Sequence, residues 1–443
     1  MDTPPVPIPA YEIGGQRWDR NMPDFPEAIA KAHVHHLRPR CLCQPGAPGI
    51  EMYVARLSDG YVIKRMPNTG YLHAIDCPSY EPPADYSGLG PLVGSAIVEN
   101  PVTGVTALRL DFPMTKLPCR HVQPAAGSTI SSVASQGQRL GLRALLHYLW
   151  DQAELTHWKP GFAGRRNWAT VRRHLLQAAE NKTTHGQPLK ASLYIPEVFS
   201  VEQRDAISRR RIRQWTQTTQ SPGAPQHLIL LIGEVKEIAP ARFGYKMVIK
   251  HVPDQAFGVD EGLFRRLSRC FDRELALWGT SENLHLLAIA TFRLADSGIP
   301  SIIELSLCPA TAQWLPLEDQ AERLLIEKLV DDERSFVKCL RYNLPASKVV
   351  PSASLTDCGA STQLLVISRP ATDGADLDKE LKQLAAIYDP PPWIWQPPNQ
   401  DMPSLPLKRA HRSAPPGWKS GQSNPTSPVE HHGVATKQTV GSP

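Results

Sequence analysis

Four side chains near the front of the chain have the chemistry of metal ligands. Cys41 and Cys43 sit two apart, and His73 and Cys77 sit four apart. Zinc takes four soft or borderline donors in a tetrahedron, and thiolate with imidazole is the usual set. Between the pairs lies a readable hairpin: a run from Ile50 to Leu57, a Ser58-Asp59-Gly60 turn, and a run from Tyr61 to Met66. Asp-Gly between such runs is a strong turn signal, so the strands should fold back and bring the pairs together. His73 and Cys77 share a face if Tyr71 to Cys77 makes one helical turn. So short a hairpin is marginal alone, and a metal would stabilise it.

The spacing of Cys41-x-Cys43 departs from the commoner C-x2-C knuckle. The bland alternative is a set of reduced, buried thiols. Cys119-x-His121 forms a rival pair in a Pro/Gly/Ser-rich loop. With four ligands and no open position, the cluster reads as a structural zinc site and not a catalytic one.

The second chemical signal is cationic. From residue 139 to 213 there are 14 Lys and Arg against 6 Asp and Glu, a net +8, while the whole chain is only +5. Apolar positions three and four apart (Leu142, Leu145, Leu146, Leu149) predict one helix there. A turn with Pro160, Gly161 and Gly164 ends it, and a helix from Arg166 to about Glu180 follows. A strand over Leu193 to Phe199 and a helix over Glu202 to Trp215 complete the block. Helix, Gly-containing turn, basic helix and strand is the order of a winged helix-turn-helix. Arg165, Arg166, Arg172 and Arg173 could reach phosphates, with an affinity that falls with salt. The alternatives are a solvated helix face and a protein–protein adaptor with an acidic partner.

Catalytic signals are weak. Glu234-Val-Lys236 is half of a metal-dependent nuclease motif, but the nearest upstream acid is Asp205, behind a linker. Two carboxylates are needed to grip Mg²⁺. A second nuclease-like outline near the end keeps only Asp357, with Ser352 and Leu365 where carboxylates belong. No phosphate-binding Gly loop, G-x-S-x-G or H-E-x-x-H occurs. Single histidines such as His174 and His285 read as packed or solvated.

The expected architecture is α+β and multidomain. Residues 1–30 are Pro-rich and expected to be loose. A zinc-ribbon-like β module covers 31–116, with strands over Gly94 to Glu99 and Thr106 to Phe112 enlarging the hairpin. The basic, winged-helix-like block covers 139–215. A mixed α/β sheet domain covers 227–395. Its expected strands are Leu228 to Ile238, Tyr245 to His251, Leu284 to Phe292, Ile302 to Cys308, Lys348 to Leu355 and Gln363 to Ile367. Its helices are Glu261 to Leu277, Leu317 to Leu329 and Leu377 to Ile387. The tail, 396–443, is Pro-rich and expected to be disordered from about Pro397. Scattered single cysteines suit a reducing cytoplasm. The first ten residues lack the basic start and apolar run of a signal peptide. No apolar stretch is long enough to span a bilayer, and H-L-I-L-L-I-G near Leu230 is strand-sized.

Seven stretches together resemble one bacterial family, the domain-of-unknown-function family 1173. They are R-P-R-C-L-C, Y-V-I-K-R-M-P-N-T-G, H-A-I-D-C-P-S-Y, L-L-H-Y-L-W-D-Q-A, P-G-F-A-G-R-R, L-Y-I-P-E-V-F and K-C-L-R-Y-N-L-P. The resemblance covers about residues 35 to 395. It implies a protein of the kind carried on integrative and conjugative elements and plasmids, and it implies no activity. The expected function is a cytoplasmic, zinc-stabilised accessory factor of a mobile element that holds nucleic acid, with no membrane partner. The alternatives are a metal-dependent nuclease and a protein–protein adaptor.

Overall fold

Leu228–Ile232 and Leu286–Ile289 are apolar at every position, not at alternate ones. A strand of that kind has no polar face for water, so both of its faces must be covered. The computed structural model, which describes residues 10–57, 60–116, 139–219, 226–295, 298–359, 361–369 and 390–409, achieves this with a barrel.

Ile229–Pro240 pairs antiparallel with Tyr245–Ile249 on one side and with His285–Leu294 on the other. Tyr245–Ile249 continues to Val252–Val259, and His285–Leu294 continues to Pro300–Ala310. A parallel contact, Gly258 opposite Ser301, closes the ring. Ile229, Leu231, Met247, Phe257, Ala288 and Phe292 fill the interior. Helix Glu261–Cys270, between the third and fourth barrel strands, inserts Leu263 and Leu267 into the same cluster. A Cβ on Gly233 would lie 2.9 Å from Ile249 Cγ2, so a side chain there would push the wall apart.

The outward residues Leu230, Ile232, Leu287 and Ile289 pack under Leu145, Leu149, Trp168, Val171 and Leu175. These belong to helices Leu142–Gln152 and Trp168–Ala178, both expected from their apolar spacing. Asn167 caps the second helix by accepting from Thr170 N at 3.0 Å.

The expected segments share sheets. Lys182–Thr184 pairs parallel with Val105–Leu108, and Leu193–Tyr194 pairs with Leu230 and Leu231. His157–Trp158 pairs with Phe336 and Val337. The basic block keeps one short antiparallel pair of its own, Lys182–Thr184 with Gln187–Pro188, after its second helix. Its strands are two or three residues long, too short to stand alone, and partners from elsewhere complete them. Val105–Leu108 and Ile97–Asn100 likewise form a sheet with Lys182–Thr184, separate from the hairpin they were expected to enlarge. Overall the described residues form a mixed α and β structure with eight α-helices and several sheets.

The N-terminal expectation is corrected. Ala10–Ile13, Gln16–Asp19 and helix Phe25–Val34 are ordered. The two strands extend the hairpin sheet in the order Gln16–Asp19, Ala10–Ile13, Arg40–Cys41, Ile50–Leu57, Gly60–Arg65. Proline content suggested looseness, but Pro26 lies in the first turn of its helix, where a missing N–H costs nothing. Residues 1–9 lie outside the described residues.

The last sheet runs Trp393–Trp395, Gln363–Ile367, Ala353–Leu355, Phe336–Lys338, His157–Trp158. Helix Gln320–Asp331 covers it with Leu325, Ile326 and Leu329. After residue 228, three strands went unanticipated: Val252–Val259, Phe336–Lys338 and Trp393–Trp395. Residues 396–409 are not disordered as expected. Ser404 O accepts from Trp393 Nε1 at 3.0 Å, Pro406 O accepts from Arg334 at 2.8 Å, and Arg409 N donates to Asp357 O at 3.0 Å. The expected helix at 377–387 and the tail from 410 lie outside the described residues.

Lys182 is buried to 1 % exposure in the small sheet, donating to Thr106 Oγ1 and Gln152 Oε1, both at 3.1 Å. Burial, then the Lys64 charge, pulls its ammonium down from 10.5 to about 7, with Glu99 opposing and Arg65 adding. Between those values the unfolded chain binds more protons at this residue than the folded one, so its contribution to stability rises with pH. Buried thiols and phenols titrate in the same window with the opposite sign. The readout is therefore urea stability of the wild type relative to Lys182→Met. The wild type should gain on the variant from pH 7 to pH 9, and a constant difference would count against this titration.

Candidate metal centre

Cys41 ends the short strand Arg40–Cys41, held between Tyr11 on one side and Ile50 on the other. Leu42 N then donates to Ala10 O at 2.9 Å, which fixes the path to Cys43. The expected hairpin forms from Ile50–Leu57 and Gly60–Arg65, with Gly60 in the second strand opposite Leu57 and not in the turn; Ser58 and Asp59 lie outside the described residues. It delivers the chain to a single 3-10 turn, Gly70–Leu72. A Cβ on Gly70 would lie 2.7 Å from Glu81 Cβ, so glycine lets this turn pack. Gln44 Nε2 donates to Leu72 O at 2.6 Å and ties the two ligand-bearing segments together.

The expected helical turn over Tyr71 to Cys77 is not there. His73 is extended, with ψ 156°, and Cys77 closes a second tight turn by donating its N–H to Ala74 O at 2.8 Å. Two consecutive turns do what one helix was expected to do, and the four ligands still converge. All four donor atoms lie within 4.8 Å of one another. Cys41 Sγ to Cys77 Sγ is 3.7 Å, Cys43 Sγ to His73 Nδ1 is 3.5 Å, and Cys77 Sγ to His73 Nδ1 is 3.7 Å. A tetrahedral ion with zinc-like bond lengths requires S···S edges of about 3.8 Å and S···N edges of about 3.6 Å. The group thus fits one metal ion.

Cys41, His73 and Cys77 are buried, and Cys43 is half-buried. Ala74 N donates to Cys43 Sγ and Ser79 N to Cys77 Sγ, both at 3.4 Å, and each bond favours a thiolate. Hydrogen bonds from Cys41 and then Cys77 hold the Cys43 thiol far below its usual range. The bond to Cys43, then the bond to Cys77 and burial push Cys41 far up. A bond from Cys41 lowers Cys77, but Cys43 and burial outweigh it and raise that thiol to about 11. One thiolate at Cys43 already resists the next, which is the electrostatic problem a dication removes. Among the described residues, no carboxylate or carbonyl accepts from the buried His73 Nε2, the place where a ligating histidine is usually held. The rival pair Cys119 and His121 lies outside the described residues.

The four arginines expected to reach phosphates, Arg165, Arg166, Arg172 and Arg173, separate into two kinds. Arg166 points inward, donating to Leu155 O at 2.8 Å and to His157 O, with its guanidinium 5.3 Å from the ring centres of both Trp158 and Phe162. Burial lowers it to about 10. Arg172 Nε donates to Ile195 O at 3.0 Å. Arg165 and Arg173 are exposed. Arg166 precedes the helix instead of lying on its outer face, because the cap is Asn167.

The nuclease-like residues do not converge. Glu234 is 4 % exposed and accepts from His285 Nδ1 at 2.7 Å and Lys250 Nζ at 2.9 Å. Despite burial, those partners hold it below the usual carboxylate range. The strand bulges between Val235 and Glu237, so Lys236 stands exposed while Glu234 is buried. Asp205 is exposed beside Arg204. Asp357 takes both ends of the Arg334 guanidinium, at 2.9 and 2.7 Å, and also accepts from Ser335 N. The Glu234–His285 contact escaped the sequence reading because 51 residues separate its members.

Among known proteins, the family model described as "Protein of unknown function (DUF1173)" matches residues 11–398. No curated protein and no solved structure matches the chain.

Elemental analysis of the purified protein should find one metal ion per chain. Cys43→Ser should lose most of it and unfold at a lower temperature, since metal binding and folding are coupled where thiolates must converge. A folded, metal-free preparation would overturn the assignment.

Proposed function

The chain belongs to the DUF1173 family, and from that premise we propose that it is a zinc-stabilised, nucleic-acid-binding accessory factor of a bacterial mobile element, working in the cytoplasm. A Cys3His donor set is a usual structural zinc site, and its thiols need a reducing compartment to stay metal-ligating. The mobile-element context follows from the motif resemblance alone. No helix among the described residues is long and apolar enough to cross a membrane.

One observation carries the nucleic-acid reading. Two arginine-bearing helices, Trp168–Ala178 and Arg204–Thr219, meet at one short segment of chain. Arg172 donates to Ile195 O in that segment, and Gln214 donates to Leu193 O. Arg210 grips Glu197 there with bonds of 2.9 and 2.7 Å. Arg165 and Arg173, before and on the first of these helices, are exposed, as are Arg209 and Arg213 on the second. Clustered cations on adjacent helices are the footprint of a polyanion site. The nuclease alternative gains nothing from Glu234 or Asp357, whose carboxylates are taken by cations of the fold.

Binding of duplex DNA and of RNA, followed by fluorescence anisotropy across a salt series, tests this. Affinity should fall steeply with salt. Arg165→Ala combined with Arg173→Ala should make the log–log slope about 2 smaller, roughly 0.9 per lost phosphate contact. Arg166→Ala should instead lower thermal stability. Unchanged binding by the double variant would remove this surface, and the adaptor reading would take its place.

A further inference from the structure

The turn joining the first two barrel strands is Ala241-Arg242-Phe243-Gly244, and Phe243 is 83 % exposed. The Arg242 guanidinium lies over its ring, 5.4 Å from the centre. Gly244 has φ +68°, and a Cβ there would sit 2.7 Å from Val259 O, so the turn is pressed onto the end of the third strand. The Gly258–Ser301 contact brings the start of the fifth strand to the same place. With it comes the loop closed by Ala295 N to Ile299 O, and Ile299 is exposed.

Helix Glu261–Cys270 also begins at this end. Asp260 caps it, and Phe264 stacks on Tyr245 with ring centres 3.4 Å apart. Its apolar residues face the barrel, which turns Arg265, Arg266 and Arg269 outward. Arg265 has only a loose, exposed contact of 3.9 Å with Glu261. One end of the barrel thus presents an aromatic ring in water, beside a face of cations.

The connectivity adds weight. Around the ring the strands run first, second, third, fifth, fourth, with the third and fifth parallel and a helix between the third and fourth. This is the connectivity of the oligonucleotide- and oligosaccharide-binding barrel. That fold binds over its second and third strands, between the 1–2 and 4–5 loops. Phe243 and Arg242 occupy the 1–2 loop. Topology alone assigns no activity, so the chemistry rests on these side chains.

We propose that this end of the barrel binds single-stranded nucleic acid, with a base stacked on Phe243 and phosphates meeting Arg242, Arg265 and Arg269. The inference deepens the nucleic-acid reading above and rests on it. A duplex keeps its base faces stacked on each other, whereas a single strand offers them to an exposed ring.

The test uses the full chain, an oligothymidylate of about 15 nucleotides and a mixed-sequence duplex, by anisotropy. Phe243→Ala should weaken oligothymidylate binding about tenfold or more and leave the duplex little changed. Phe243→Trp should retain binding. Arg165→Ala with Arg173→Ala should weaken the duplex. The exposure of Phe243 spares the fold, which metal content and circular dichroism verify in each variant. If Phe243→Ala binds the single strand like the wild type while the arginine pair still matters for the duplex, the barrel site is wrong and the broader reading survives. If the wild type binds neither nucleic acid, both fall.

Discussion

The architecture depends on one strand that is apolar on both faces. Ile229, Leu231 and Val235 point into the barrel, and Leu230 and Ile232 point out of it. Leaving either face in water would expose side chains worth about 1.5–3 kcal/mol each. The inner face is covered by closing the sheet on itself. The outer face is covered by the helices Leu142–Gln152 and Trp168–Ala178. Because their apolar sides are committed inward, the helices turn their polar sides outward. Trp150 Nε1 donates to Trp314 O at 3.1 Å, and the His285 ring stacks on Trp314 at 3.8 Å. Trp314 is held at φ +61°, a conformation costly for a bulky residue, and these two contacts over-determine it.

The metal centre answers a different constraint. Three sulfur atoms and an imidazole are packed at contact distance, mostly out of water, and thiolates at that spacing repel. A dication held by this group would convert the repulsion into four bonds. The module it ties is not isolated from the rest of the molecule. Tyr53 donates to Glu99 in the small sheet, Asn181 Nδ2 donates to Arg56 O at 3.0 Å, and Gly88 N donates to Leu340 O at 2.9 Å. A Cβ on Gly88 would fall 1.9 Å from Arg341 O, so the chain passes there only as backbone. Loss of the metal would therefore loosen the contact of the front sheet with the body, not the hairpin alone.

The grouping of Cys41, Cys43, His73 and Cys77 could be read from the sequence because thiol and imidazole chemistry is local to a residue and a hairpin signal brackets it. The helix proposed to align His73 with Cys77 could not be, since an i,i+4 spacing also fits two successive turns. Helices with regular apolar spacing were visible. The barrel was not, because Glu234 pairs with Lys250 and His285 across separations that leave no trace in periodicity. Strand Val252–Val259 was missed for a related reason. It follows its neighbour almost without a loop, and its buried positions, Val252, Phe257 and Val259, are irregularly spaced. The ordered front of the chain was obscured by proline, which signals looseness only where nothing covers it.

Composition also overstated the available charge. The +8 of residues 139–213 counts arginines that the fold consumes. Arg143 is paired with Glu274, Arg210 with Glu197 and Arg211 with Asp254, while Arg166 is spent on two carbonyls. Arg165, Arg173, Arg209 and Arg213 remain exposed. A site built on so few phosphate contacts has limited electrostatic affinity and loses much of it at physiological salt. Stacking on an aromatic ring is not screened by salt. If the two proposed surfaces act on one strand, the helical cations speed its capture, and the ring at the barrel end decides how long it stays. Salt would then act mainly on association, and substitution of Phe243 mainly on dissociation.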